Sequence, residues 1–144
     1  MSEATTNTAM AVLITRLSRR VYRVAHEERV GMPMKLFSTL NVLREREGVG
    51  QQALGEMMGI DPNMLVLLLN QAEDAGYARR VRDPKDRRRH IVELTDAGRD
   101  ALERAEAGVE EVEEEILAAL DADERAQLRA LLVKALTADP DDAV

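Results

Sequence analysis

The 144-residue sequence contains no cysteine, and aromatic residues make up only 2% of it. Without cysteine, the chain cannot form disulfides, thiolate metal sites or a thiol redox switch. With so few aromatic side chains, the core must be built from leucine, valine, isoleucine, methionine and alanine, which favours helices over a β-sandwich. We expect a chain of this length to fold as one compact domain.

Long apolar runs and catalytic motifs are also missing. No run approaches the ~20 residues that span a bilayer, and residues 1–9 have no apolar block behind a basic start. We therefore expect no membrane association, no secretory signal and a cytoplasmic protein. The sequence has no H-E-x-x-H, G-x-S-x-G or G-x-x-x-x-G-K pattern, and its two histidines are far apart. We predict that the protein is not an enzyme and has no catalytic residue, cofactor or metal site.

Charge is unevenly distributed along the chain. The formal net charge of −7 argues against a nucleic-acid partner, but basic residues are concentrated between positions 79 and 90. Seven glutamates lie between residues 103 and 115. Glutamates four residues apart can share a cation, although a solvated helix face is the simpler interpretation. Because the local field decides which partner docks where, the basic segment is a candidate nucleic-acid site.

Apolar residues recur at helical spacing in six segments. The predicted helices cover residues 10 to about 31, 33 to 47, 51–58, 62–75, 95 to 120 and 121 to 137. Asp61 is the predicted cap of the fourth helix, and Gly76 its stop. Asp121 and Glu124 have the spacing of a capping box and begin the last helix.

The periodicity changes between the fourth and fifth predicted helices. Residues 78–81 and 90–94 predict two short strands, and the hairpin tip between them, residues 82–89, contains five arginines or lysines. Two short helices joined by a glycine-containing turn and followed by a basic hairpin are typical of a winged helix-turn-helix. We therefore predict a mainly α-helical fold with a small β-wing. Residues 62–75 form its recognition helix, which enters the major groove of DNA, and residues 78–94 form its wing.

The sequence DRRRHIVELTDAG, residues 86–98, resembles the D-x-R…V-x-L-T-x-x-G signature of the MarR family of transcription regulators. The segments LGEMMGID (54–61) and EDAGYARR (73–80) are similar to the two helix-turn-helix segments of that family. The resemblance covers roughly residues 10–136. It implies an obligate homodimer that binds duplex DNA, mostly represses transcription and often releases DNA when a small, usually anionic aromatic effector binds.

The resemblance also implies a division of the chain. The parts are a disordered N-terminus (1–9), a dimerisation helix (10–32), a winged helix-turn-helix DNA-binding region (33–95), dimerisation helices (96–137) and a frayed tail (138–144). All of them belong to one structural domain. Whether the protein represses or activates transcription stays open.

Individual roles follow from position in the family pattern. Arg88 would enter the minor groove, and Asp86 would hold its guanidinium through a charge-assisted bond. The remaining basic residues of the wing would contact phosphates: Arg82, Lys85, Arg87 and Arg89. A low-polarity effector pocket would lie between the dimer interface and the winged region, lined by Tyr22, His26, Met32 and Phe37.

The recognition helix departs from the family pattern. Many members carry Ser, Thr or Arg on its exposed face, where this chain has Asn63, Met64, Val66, Leu67, Asn70 and Gln71. The amides can hydrogen-bond to bases, whereas Val66 and Leu67 can only contact thymine methyl groups. An alternative is a helical dimeric protein-interaction module that retains the fold without specific DNA readout and docks through Leu67.

Overall fold

The structure is a computed structural model that describes residues 7–137. Its helices and strands are α1 (Met10–Val24), α2 (Glu27–Val30), α3 (Met34–Glu45), β1 (Val49–Gly50), α4 (Gln51–Met58), α5 (Pro62–Asp74), β2 (Ala78–Arg82), β3 (His90–Leu94), α6 (Asp96–Ile116) and α7 (Ala122–Thr137). Within this range, no helix is both long and apolar enough to cross a membrane. The predictions made for residues 1–6 and 138–144 lie outside the described residues.

The single helix predicted for residues 10–32 is wrong in one respect, because it is interrupted. α1 ends at Val24, and the separate four-residue helix α2 begins at Glu27. The turn between them buries Ala25 and redirects the chain so that Val30 and Met32 are also buried in the core. Burial of these side chains against α6 is a long-range effect that helical periodicity does not reveal.

The three strands form an antiparallel sheet in the order β1-β3-β2. β2 and β3 are the two predicted strands of the wing, and β2 extends one residue further, to Arg82. β1 was not predicted, because two residues leave no alternating pattern to detect. It places Val49 opposite Val92 and so ties the base of the wing to the segment that begins the helix-turn-helix.

The core lies between α3, the helix-turn-helix, the sheet and α6. Its largest fully buried side chains are Leu40, Leu43, Leu54, Leu69, Leu102, Val92, Val112 and Thr39. The Thr39 hydroxyl donates a 2.8 Å hydrogen bond to the Lys35 carbonyl, so this polar group is satisfied. α1 and α7, by contrast, contain no buried residue. Leu17, Val21 and Val24 of α1 pack partly against the core, whereas Met10 and Ile14 of α1 and Leu131 and Leu136 of α7 are exposed in one protomer.

Candidate nucleic-acid interface

Local interactions fix both sides of the turn in the helix-turn-helix, which consists of α4, α5 and residues 59–61. Gly59 has a left-handed conformation, with φ of 59°, and ends α4. The Asp61 Oδ1 atom caps α5 by accepting hydrogen bonds from the backbone N–H groups of Asn63 at 2.9 Å and Met64 at 3.2 Å. Pro62 occupies the first turn, where its missing N–H has no intrahelical partner to lose. The predicted cap at Asp61 is therefore confirmed.

The recognition helix α5 buries one face and exposes the other. Its buried side chains are those of Leu65, Leu68, Leu69 and Ala72. All six residues predicted to face DNA are exposed: Asn63, Met64, Val66, Leu67, Asn70 and Gln71. Leu67 is 60% exposed, so this face combines large apolar side chains with amides. Their contact with DNA stays a prediction.

Arg80 on β2 holds one of these amides in place. Its Nη2 atom donates a 2.7 Å hydrogen bond to Asn70 Oδ1, and its Nε atom is paired with the Glu73 carboxylate. Arg80 belongs to the basic segment of residues 79–90, but its contact with Asn70 was not predicted. Strand alternation was the available signal, because Arg80 lies two residues after the buried Ala78 and so shares its inward face. A cation on that face requires an acidic or amide partner.

The wing tip carries an arginine whose side chain is exposed but is fixed by hydrogen bonds to a neighbouring carboxylate. The Arg88 side chain is 91% exposed, while its Nε and Nη2 atoms donate to the two carboxylate oxygens of Asp86 at 3.1 and 3.2 Å. The backbone N–H of Arg88 also donates to Asp86 Oδ1 at 3.1 Å. These bonds, and more weakly the nearby Arg89, lower the pKa of the Asp86 carboxyl from its usual value. The expected contact between Asp86 and Arg88 is thus present.

The other basic residues of the wing fall into two groups. Arg82 donates from Nη1 to the carbonyl oxygen of Arg87 at 2.7 Å, so it braces the hairpin tip from within. Arg89 lies 3.6 Å from Asp86 through its Nε atom and is mostly exposed. The side chains of Lys85 and Arg87 are exposed. Arg82 is exposed as well, and the contact of these four cations with phosphates stays a prediction.

An open groove of about 1090 Å³ separates the wing from the helix-turn-helix. Arg88, Arg89 and His90 line one side of it, and the first turn of α4 lines the other. Gly50 precedes α4 and has no side chain that could cap the helix. The first backbone N–H groups of α4 therefore donate no hydrogen bond to a capping side chain at this position. The groove thus brings three side chains of the wing that can donate hydrogen bonds near a helix N-terminus, and the carboxylates of Glu56, Asp61 and Asp83 line it as well.

The threonine and glycine at the end of the signature hold the wing to α6. The Thr95 hydroxyl donates to the Gly76 carbonyl at 2.5 Å and accepts from the Gly98 N–H at 3.1 Å, which caps α6. The Thr95 N–H donates to the Tyr77 carbonyl at 3.0 Å. Gly98 lies so close to Tyr77 that a Cβ atom would overlap its carbonyl oxygen. This half of the signature therefore sets the position of the wing.

The four residues predicted to line an effector pocket differ in burial. Met32 and Phe37 are buried in the core, whereas Tyr22 and His26 are exposed. An apolar cavity of about 530 Å³ lies nearby, between α1, α6 and α7, and none of the four lines it. The effector pocket stays a prediction.

The glutamates of α6 form ion pairs within the protomer. Glu115 pairs with Arg29 at 2.5 Å, and Glu106 pairs with Arg44. Among residues 7–137, no group of three or more histidine, aspartate or glutamate side chains is placed to hold a metal ion. The two ion pairs join α6 to α2 and to α3.

The fold and the exposed basic wing define a winged helix-turn-helix regulator, and comparison with known proteins agrees. The family model of the MarR family matches residues 32–90. A protein described as a regulator of the hcr operon of Thauera aromatica is 34% identical over 102 residues, which are 71% of this chain and 61% of that relative. The regulator YdgJ of Bacillus subtilis is 30% identical over 115 residues, covering 80% of this chain and 70% of YdgJ.

Solved structures share the fold over nearly the whole chain. A variant of MarR from E. coli complexed with operator DNA has a TM-score of 0.72 at 24% identity and covers 94% of this chain and 99% of that one. PcaV from Streptomyces coelicolor, in complex with its natural ligand, has a TM-score of 0.69 at 27% identity, with coverages of 94% and 96%. The chain belongs to the MarR family, whose members are transcription regulators and not enzymes.

Proposed function

We propose that this chain forms a homodimer that binds specific sequences of duplex DNA, represses transcription and releases DNA when a small effector binds. The observation that carries DNA binding is the Arg88 guanidinium, which is almost fully exposed but held by Asp86. An arginine fixed before binding loses less rotamer freedom when it enters the narrow minor groove. Such a regulator would act in the cytoplasm, where bacterial DNA is found.

The proposed interface would follow two neighbouring grooves of B-DNA. With α5 in the major groove, the wing tip reaches the adjacent minor groove, and the phosphate backbone that separates them occupies the space between. Arg88, Arg89 and His90, on the wing side of the open groove, are the side chains that would contact that backbone. The negative net charge of the chain does not oppose this mode, because the cations are concentrated at the contact.

The uncovered faces of α1 and α7 support a homodimer. Met10 on α1 is 74% exposed and Leu131 on α7 is 65% exposed, and neither helix buries a residue within the protomer. Apolar faces of this kind are ordinarily covered by a partner. A second copy packed through residues 10–32 and 96–137 would cover them and place two recognition helices about a two-fold axis. Half-sites about 10 base pairs apart, or a multiple of that, then follow.

Relief of repression by a small aromatic or anionic effector is supported by the relationship to PcaV, which has been solved with its natural ligand. The region that contains Tyr22, His26, Met32 and Phe37 joins α1 to α3, so a ligand there would act between the dimer helices and the helix-turn-helix. Salicylate at millimolar concentration should raise the melting temperature and weaken DNA binding. No change in either quantity would contradict this part of the proposal.

Substitution of Arg88 tests the DNA-binding role. Arg88→Ala should weaken binding to duplex DNA from upstream of the gene by about 1–3 kcal/mol, since it removes the minor-groove contact. Lys35→Ala is the matched control, because it removes the same charge from an exposed position on α3, outside the wing, the recognition helix and the proposed dimer interface. Its affinity should stay within about twofold of the unsubstituted protein. Equal affinity losses for the two variants would contradict a specific role of the wing.

The alternative, docking of a protein on the recognition helix, draws on the exposure of Leu67. It predicts no effect of Arg88→Ala on partner binding and a large effect of Leu67→Ala. Arg88→Ala and Leu67→Ala therefore separate the two alternatives. The decisive measurement is the DNA affinity of Arg88→Ala.

A further inference from the structure

We propose that an arginine stripe on α1 pairs with a glutamate rim on α6 of a second copy of this chain, and that this pairing selects the partner. The arginine stripe consists of Arg16, Arg19, Arg20 and Arg23, and the glutamate rim consists of Glu110, Glu113 and Glu114. The inference rests on the proposed homodimer and adds the chemistry by which one copy recognises another.

The arginine stripe has no acidic neighbour on its own helix. α1, Met10–Val24, contains no aspartate or glutamate. At about 100° per residue, the four arginines lie within about 100° of one another, and all four are exposed. None of them forms an ion pair with another residue in the range 7–137. Because exposed like charges on one helix face repel one another, an anionic surface placed against the stripe would be attracted to it.

The stripe points away from the core of its own protomer. Leu17, Val21 and Val24 pack partly against that core, and the centre of the stripe lies about 120° round the helix from them. α1 contacts α6 of the same protomer, yet no arginine of the stripe is paired with a glutamate of that helix. Among the described residues, the stripe therefore has no acidic partner in its own protomer.

The glutamate rim borders the apolar cavity of about 530 Å³ between α1, α6 and α7. Its three carboxylates are exposed and form no ion pair within residues 7–137, although two other glutamates of α6 do. α6 has no lysine or arginine after Arg104. Arg125 and Arg129 of α7 line the same cavity, but neither is paired with the rim, and Arg125 Nε donates to the Leu120 carbonyl at 3.1 Å. The rim is therefore open to cations of another chain.

Apolar side chains beside the stripe and the rim favour a second copy as the partner. The first half of α1 exposes Met10 and Ile14, and Leu128, Leu132 and Leu136 of α7 line the cavity beside the rim. Insertion of the first turns of α1 into the cavity of the second copy would cover both apolar surfaces. It would also bring the stripe of one copy to the rim of the other, and a two-fold axis would form this contact twice.

The pairing would act mainly on the choice of partner. Exposed ion pairs contribute little to affinity individually, whereas like charges that face each other disfavour a wrong partner. Two arginine stripes cannot face each other for the same reason. A chain of the same fold without an acidic rim would therefore be disfavoured in a mixed dimer.

Reversal of each charged group in the full-length protein tests the inference. The stripe variant carries Arg16→Glu, Arg19→Glu, Arg20→Glu and Arg23→Glu, and the rim variant carries Glu110→Arg, Glu113→Arg and Glu114→Arg. For each variant alone, the dimer dissociation constant should rise at least roughly tenfold, because like charges then face each other. An equimolar mixture of the two variants should form a one-to-one heterodimer, measured by light scattering with a mass tag on one variant.

Two controls separate the loss of pairing from other effects. Reversal of three exposed acidic residues outside α1, α6 and α7 should leave the protein dimeric: Glu45→Arg, Glu47→Arg and Asp74→Arg. A chain that carries both the stripe and the rim substitutions should again form a homodimer, which misfolding of either variant would not allow. Circular dichroism checks the helix content of every variant.

The inference is overturned if either variant alone stays as dimeric as the unsubstituted protein, or if their mixture stays monomeric. A stripe variant that is dimeric but no longer binds duplex DNA would also overturn it and would assign the arginines to DNA. If the unsubstituted protein is itself monomeric, the proposed homodimer fails as well. If that protein is dimeric and the two variants do not pair, only the present inference fails.

Discussion

Replacement of Gly98 by alanine should disturb the junction between the wing and α6. In the structure, a Cβ atom at Gly98 would overlap the carbonyl oxygen of Tyr77 and lie 2.6 Å from Leu94 Cδ1. The Leu94 side chain can move aside, but the carbonyl belongs to the backbone that leads into β2. The same carbonyl accepts the hydrogen bond from the Thr95 N–H, so moving it also disturbs the attachment of α6.

The expected magnitude comes from two opposing effects. Alanine in place of glycine in a helix ordinarily stabilises the fold by about 0.5–1 kcal/mol. Overpacking of a filled site costs about 1–3 kcal/mol, and a clash with backbone lies toward the upper part of that range because the backbone is the least able to yield. The clash should therefore win, giving a net loss of about 1–2 kcal/mol. For a chain of this size, the melting temperature should fall by about 3–8 °C.

Thermal unfolding followed by circular dichroism measures this change at a fixed protomer concentration, which matters for a dimer. Ala97→Gly is the control, because it lies in the same turn, is exposed, and reports the local helix preference alone. A melting temperature of Gly98→Ala at or above that of the unsubstituted protein would refute the close approach of α6 to Tyr77.

Three further predictions concern the wing, α2 and the dimer. The pKa of the Asp86 carboxyl should lie below the usual value of ~3.9. The bond between Asp86 and Arg88 should therefore be intact at pH values above ~3.9 and be lost as the pH falls through the lowered pKa. An NMR titration of the Asp86 carboxyl carbon measures this pKa, which Arg88→Ala should raise. Gly108→Ala should lower the melting temperature although alanine is the better helix former, because a methyl group there would overlap the Arg29 carbonyl oxygen; an increase would contradict the packing of α2 on α6. Leu131→Glu should produce monomers in size-exclusion chromatography with light scattering, since it would place a charge in the proposed interface; an unchanged dimer would exclude α7 from that interface.

Helix ends that depend on neighbouring residues were predictable from the sequence. Asp61 caps α5 as predicted, and Asp121 and Glu124 form the predicted capping box, each donating its N–H to the carboxylate of the other at 3.0 and 2.9 Å. Their signals are contained within four residues. The inward face of α5 was equally predictable, because burial at helical spacing depends on one element alone.

Features that depend on distant contacts were not predictable. The break between α1 and α2 follows from packing against α6, including the close approach at Gly108, and no local motif marks it. β1 exists only through its pairing with β3. The orientation of Asn70 depends on Arg80, which reaches it from another element. The exposed residues of the candidate site and the bond between Asp86 and Arg88 were thus predictable, whereas the contact between Arg80 and Asn70 required the structure.

The central claim is that this chain binds specific duplex DNA through a basic wing and a recognition helix. Its most direct test is a fluorescence-anisotropy titration of duplex DNA from upstream of the gene, beside a scrambled duplex, at several salt concentrations. We expect tighter binding to the upstream duplex, with log affinity falling linearly with log salt by about 0.9 for each phosphate contacted. Absence of binding to either duplex at low salt would contradict it.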